Sequence, residues 1–182
     1  MPNEVSEKGV NRYLCLLILI IFISILGVGA LSVGALVNHM DILTFIASFN
    51  TKQITVAELQ QGKVKSVVLI DVRSPEEYVE DHIGQSLFVP LTYIEAGVGV
   101  KRIRDIAQAS TQSNHTQPTI VLYCTSGMRS VKAYQKLEKT GLNLVVLKGS
   151  ITAWRKAIPA QKEAEILSRI DIMYLTHSSV RE

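Results

Sequence analysis

Cys124 is the side chain of this 182-residue chain best placed to act as a nucleophile. It follows the β-branched run Thr119–Tyr123 and precedes Thr125, Ser126, Gly127, Met128, Arg129 and Ser130. A thiol at the carboxyl end of a strand, just before a helix, sits where open α/β sheets place their ligands. Such a turn aims several backbone N–H groups at one point, an anion nest reinforced by the helix N-terminus. Gly127 permits a bend that a Cβ would resist, and Arg129 adds a permanent positive charge. A free cysteine has a pKa near ~8.5 and is about 3% thiolate at pH 7. Lowering that value by roughly two units, worth about 2.7 kcal/mol, makes thiolate the majority form. The loop therefore predicts a reactive thiolate instead of an inert buried thiol.

The elements that must hold this loop are legible as hydrophobic runs. Val67–Asp71 (VVLID), Thr119–Tyr123 (TIVLY) and Asn143–Leu147 (NLVVL) are continuous and β-branched-rich, the pattern of strands buried on both faces. Ser74-Pro75-Glu76-Glu77 predicts a capped helix start, with proline at the first helical position and acids that suit the dipole, running to about Asp81. A second helix is expected over about Ser126–Thr140, with Val131, Tyr134 and Leu137 on one stripe and Gly141 as its left-handed cap. Ile166, Leu167, Ile170, Met173 and Tyr174 predict an amphipathic helix or tail over 160–182. His82 is read as part of a turn, and His115 as part of a polar loop from about Ser110 to Pro118. Trp154 is read as a core anchor. Strands alternating with helices over about 53–159 make this an α/β domain with a small parallel sheet.

Several ordered motifs resemble the rhodanese family. Cys124, Gly127 and Arg129 form a C-x-x-G-x-R loop similar to its active-site loop. Asp71-Val72-Arg73 through Glu77-Tyr78 resembles the D-V-R-x-x-x-E-[FY] segment, and His82-Ile83 through Val89-Pro90 the stretch that follows it. Leu147-Lys148-Gly149-Ser150-Ile151 with Ala153-Trp154 is similar to the last strand-turn-helix. Gln85 and Ser150 depart from the pattern, each standing where glycine is usual. The resemblance implies a sulfurtransferase in which Cys124 and Arg129 are catalytic and Thr125, Ser126, Gly127 and Met128 form the substrate-binding loop. It also implies that Asp71 and Arg73 pair beneath that loop. The donor would be a small sulfur-containing anion such as thiosulfate, and the reaction needs no cofactor. No second cysteine lies in the domain to resolve a persulfide, so the acceptor is expected to be cyanide, an external thiol or a protein. Cysteine-dependent phosphatases use a similar loop with one more residue between cysteine and arginine; four separate Cys124 from Arg129 here, which suits sulfur better. A binding or signalling module without catalysis is the alternative, since folds host unrelated functions.

Composition narrows the remaining classes. The net charge of +3 comes from interspersed Lys and Arg with no basic run to track nucleic-acid phosphates, so no nucleic-acid partner is expected. Two cysteines, Cys15 and Cys124, without a Cys-x-x-Cys motif make a disulfide framework or metal site unexpected. Residues 14–37 carry no charge and are long enough to cross a bilayer core of about 30 Å, which predicts a transmembrane helix behind a cytoplasmic segment, 1–13. Lys8 and Arg12 precede the run and Lys52 follows it, so the domain is expected on the non-cytoplasmic side of the membrane. The alternative is export after signal-peptide cleavage near Ala30 or Ala35. Ile42, Phe45, Ile46 and Phe49 recur at helical spacing and predict a linker or interfacial helix over 38–52.

Overall fold

Three strands that are apolar along nearly their whole length form the centre of the sheet. The computed structural model describes residues 16–28, 46 and 48–172. Its five strands are β1 (Gln53–Ile54), β2 (Val67–Asp71), β3 (Leu87–Phe88), β4 (Thr119–Tyr123) and β5 (Asn143–Leu147). They pair in parallel in the order β1-β5-β4-β2-β3, so β4 is the middle strand. β2, β4 and β5 span the residues that the hydrophobic runs predict. β1 and β3 are two residues each, too short for their pattern to be read.

The period of two along the strands divides the core into layers. Val67, Leu69, Val121, Tyr123, Val145 and Leu147 face one side, where they pack with Leu59, Ile151, Trp154, Ile158 and Leu167. That side is covered by α1 (Val56–Gln60), α6 (Ser150–Ala157) and α7 (Ala160–Arg169). The alternate residues, among them Val68, Ile70, Ile120 and Leu122, are equally buried on the other side. There α3 (Leu91–Glu95) packs on α4 (Val98–Asn114) and on α5 (Met128–Leu137), and α5 lies against β4 and β5. Trp154 is fully buried, and its indole N–H donates to Glu163 at 2.9 Å. The fold is thus α/β, with a parallel sheet flanked by helices.

Helix ends follow the cap chemistry. Ser74 accepts from the Glu77 N–H while Glu77 accepts from the Ser74 N–H, and Pro75 opens α2 (Pro75–Glu80). α5 begins at Met128, leaving Ser126 in the loop, and a 3₁₀ turn over Glu138–Thr140 ends at Gly141 with φ +77°. The polar stretch from Ser110 to Asn114, expected as loop, is the last part of α4. The hydroxyls of Thr111 and Ser113 do not compete with the helix, because they donate to the carbonyls of Ala107 and Ala109 four residues back, while that of Ser110 is buried without a partner among the described residues. α7 ends at Arg169; Met173 and Tyr174 lie outside the described residues.

The expected membrane anchor is corrected. The chain divides into units 1–42 and 43–182, and in the first the described helix covers residues 16–28. At about 1.5 Å per residue such a helix rises about 20 Å, short of the hydrocarbon thickness of about 30 Å. Among the described residues no helix is long and apolar enough to cross a membrane. The transmembrane helix, the membrane partnership and the single-pass placement on the non-cytoplasmic side are therefore not supported. The rest of the expected span, residues 14, 15 and 29–37, lies outside the described residues, as do Ala30, Ala35, Ile42 and Phe45. Ile46 and Phe49 are exposed in the second unit.

Candidate active site

Strand order puts Cys124 at the carboxyl end of the middle strand, and the loop 125–127 turns directly into α5. Gly127 takes φ +128°, a conformation that favours glycine, and its N–H donates to the Cys124 sulfur at 3.2 Å. The Ser130 hydroxyl lies 3.7 Å from the same sulfur and donates to the Gly127 carbonyl at 2.9 Å. The Ser150 hydroxyl, 3.5 Å from that of Ser130, accepts the Cys124 N–H at 3.1 Å and stands 3.8 Å from the sulfur. The first amides of α6 secure the loop: Ile151 N–H donates to the Cys124 carbonyl at 3.1 Å and Thr152 N–H to that of Thr125 at 3.2 Å. Gly149 just before α6 has φ +71°, and a Cβ there would meet that of Ala153 at 2.7 Å. Cys124 is 1% exposed, so the sulfur lies beneath its loop.

Arg129 does not stand free as the loop's cation. Its guanidinium donates to both carboxylate oxygens of Glu77, at 2.5 and 2.7 Å, and to the Thr125 hydroxyl at 2.8 Å. Thr125 in turn donates to Glu77 at 2.7 Å. The Arg129 guanidinium, with the Thr125 hydroxyl and the Ser74 N–H, holds the Glu77 carboxyl well below the usual carboxylate range against the opposing effect of partial burial. Reciprocally, Glu77 holds the Arg129 guanidinium in its charged form. One carboxylate thus caps α2 and clamps the two ends of the sulfur loop.

Asp71 and Arg73 leave the end of β2, beside β4. Arg73 donates to Asp71 through Nε at 3.0 and 2.9 Å, through a terminal nitrogen at 2.7 Å and through its backbone N–H at 2.9 Å. A further bond runs from the guanidinium to the Asp81 carbonyl. The pair is buried, and it reaches the loop through Tyr123. Val72 N–H donates to the Tyr123 carbonyl at 3.0 Å, and the guanidinium carbon lies 6.0 Å from the ring centre. Burial, reinforced by the charge of Asp71, raises the Tyr123 hydroxyl above its ordinary range. That hydroxyl accepts the Ile83 N–H at 3.1 Å and shares a hydrogen bond with Ser86 at 2.6 Å.

The structure therefore gathers Cys124, Thr125, Gly127 and Arg129 around the turn into α5, with Ser126 and Met128 half-buried along it. Asp71 stands in register with Tyr123 across β2 and β4, and the Arg73 guanidinium lies by the Tyr123 ring. Sequence reasoning missed the parts played by Glu77, Ser130 and Ser150. Glu77 was visible as a helix-capping acid, but nothing local ties it to Arg129, 52 positions on. Among the described residues no group of three or more His, Cys, Asp or Glu is arranged to hold a metal ion.

Comparison with known proteins bears on the family and the fold. A family model described as a Rhodanese-like domain matches residues 53–157. The chain is 33% identical over 116 residues to "Uncharacterized protein slr1261" of Synechocystis sp., covering 62% of this chain and 58% of that protein. It is 33% identical over 93 residues to "Probable adenylyltransferase/sulfurtransferase MoeZ" of Mycobacterium tuberculosis, covering 50% of this chain and 21% of that protein. It thus spans less than two thirds of the length of either relative. Among solved structures, Ygr203w, a yeast protein tyrosine phosphatase of the Rhodanese family, superposes with a TM-score of 0.52 at 16% identity, over 63% of this chain and 90% of that one. At that identity the likeness concerns the fold alone.

Proposed function

Because this chain belongs to the rhodanese-like domain family, we propose that it is a sulfurtransferase. Cys124 would take a sulfane sulfur from a donor such as thiosulfate and pass it to an external thiol or to cyanide. The observation that carries this reading is the Gly127 N–H aimed at the Cys124 sulfur from 3.2 Å, at the mouth of α5. A backbone donor in that position favours negative charge on sulfur and needs no rearrangement when the charge develops.

In the first half-reaction the Cys124 thiolate attacks the outer sulfur of thiosulfate. One S–S bond forms, the bond to the central sulfur breaks, and sulfite leaves with its electron pair. In the second, an acceptor thiolate attacks the outer sulfur of the persulfide, and the Cys124 thiolate is released. The amides from Thr125 to Arg129 hold the persulfide anion. Arg129, balanced by Glu77, holds the loop closed and meets the donor's charge at its rim. Asp71 and Arg73 fix Tyr123, and with it the strand end from which Cys124 projects. Since Cys124 is 1% exposed, loading requires loop residues 125–127 to move aside, which favours small donors over bulky electrophiles.

The same burial supports a second reading, a binding module that holds this fold without catalysis. Mass spectrometry after incubation with thiosulfate separates the two. The proposed enzyme gains the mass of one sulfur atom on the peptide carrying Cys124 and loses it to added cyanide. Cys124→Ser gains none while keeping the melting curve of the parent. A parent protein that takes up no sulfur, or a Cys124→Ser variant that still transfers it, overturns the enzymatic reading.

A further inference from the structure

α6 opens on a residue that the backbone does not call for. Ser150 has φ +53°, a left-handed conformation that glycine adopts freely and a residue with a Cβ resists. Its side chain is fully buried, so its hydroxyl has also given up water. Glycine, usual at this position in the family the sequence resembles, would avoid both penalties.

What the hydroxyl gains is the sulfur. Its oxygen accepts the Cys124 N–H at 3.1 Å, so its single proton is free to point elsewhere. Three acceptors surround it: the Leu147 carbonyl at 3.4 Å, the Ser130 hydroxyl at 3.5 Å and the Cys124 sulfur at 3.8 Å. A neutral thiol is the weakest of these, whereas an anionic sulfur is the strongest, because hydrogen bonds to charged groups are roughly twice as strong. We infer that Ser150 is a positioning residue whose hydroxyl turns to donate to the Cys124 sulfur when that sulfur is a thiolate or persulfide, a donor that a glycine turn lacks. Together with the Gly127 N–H, which donates to the same sulfur at 3.2 Å, the anion then has two donors. The charged group that acts on it is Arg129 on α5, paired with Glu77 on α2; the Asp71–Arg73 pair stands at the end of β2, and Lys148, which precedes Gly149, is exposed. Substitution at 150 alters none of them.

The test uses the full chain and the variants Ser150→Gly and Ser150→Ala. Alkylation by iodoacetamide is followed across pH at the Cys124 peptide, and sulfur uptake from thiosulfate is followed by mass. Both variants are expected to alkylate about tenfold more slowly near neutral pH, with the rate profile displaced to higher pH, and to load sulfur more slowly by a similar factor. A merely structural role would shift the melting temperature and leave the midpoint of the profile in place. The inference is overturned if either folded variant matches the parent in both profile and loading. Its sulfur-uptake arm rests on the sulfurtransferase reading, but the alkylation arm does not. A parent that takes up no sulfur sinks that reading, while the alkylation profile still decides the part played by Ser150.

Discussion

Asp71→Asn removes one charge from a pair that has almost no water to fall back on. The two side chains are 0% and 6% exposed, and Asp71 receives three bonds from the Arg73 side chain and one from its backbone. Burial alone would push the Arg73 guanidinium toward neutrality, but the hydrogen bonds and charge of Asp71 outweigh it and hold the group charged. Asparagine keeps the volume and an acceptor oxygen and deletes the counter-charge, so the variant must bury a cation without its anion. Leaving one partner of a buried pair uncompensated costs about 3–5 kcal/mol. That is a large share of the roughly 5–15 kcal/mol that holds a domain together. For a domain of this size it corresponds to a fall of roughly 10–20 °C in melting temperature. Far-UV circular dichroism during thermal and urea denaturation measures it. The double variant Asp71→Leu with Arg73→Met buries no charge, so it should lose far less than Asp71→Asn. The reasoning is refuted if Asp71→Asn loses less than about 1 kcal/mol, as an exposed pair would, or if the double variant is no more stable than the single one.

Trp154→Ala should cost about 3–5 kcal/mol in urea titrations, because the ring is fully buried between the sheet and α7. Trp154→Phe keeps much of the ring and leaves Glu163 with Arg155 but without its indole donor, and should cost about 1 kcal/mol. Glu77 links the site to acid pH. Its folded carboxyl lies well below the ordinary value of 4.5, so its stabilisation is complete above that value and is withdrawn as pH falls through the folded value. The melting temperature of the parent should therefore drop more steeply below pH 4.5 than that of Glu77→Gln, which keeps the α2 capping box but cannot titrate. Gly149→Ala should lose about 2 kcal/mol or more by thermal denaturation, since φ is +71° and the new Cβ meets Ala153 at 2.7 Å.

Local pattern determined much of this protein by itself. Continuous apolar runs marked β2, β4 and β5 to the residue, because a strand buried on both faces tolerates no polar alternation. Ser74-Pro75 marked the start of α2, and the order strand, Cys124, Gly127, helix marked the sulfur loop, since caps and turns are set by residues a few positions apart. The same kind of reading failed where pattern and length part company. The polar end of α4 reads as loop until the hydroxyls of Thr111 and Ser113 are seen bonded to the preceding turn. The apolar run over 14–37 reads as a span, although the described helix covers only 16–28. What only the tertiary structure decided is which groups meet around the sulfur. Glu77 reaches Arg129 across 52 positions and Ser150 reaches Cys124 across 26, because β2, β4 and β5 are neighbours in the sheet though far apart along the chain. Electrostatic and hydrogen-bonding partners are chosen by distance in space, and no spacing along the sequence records it.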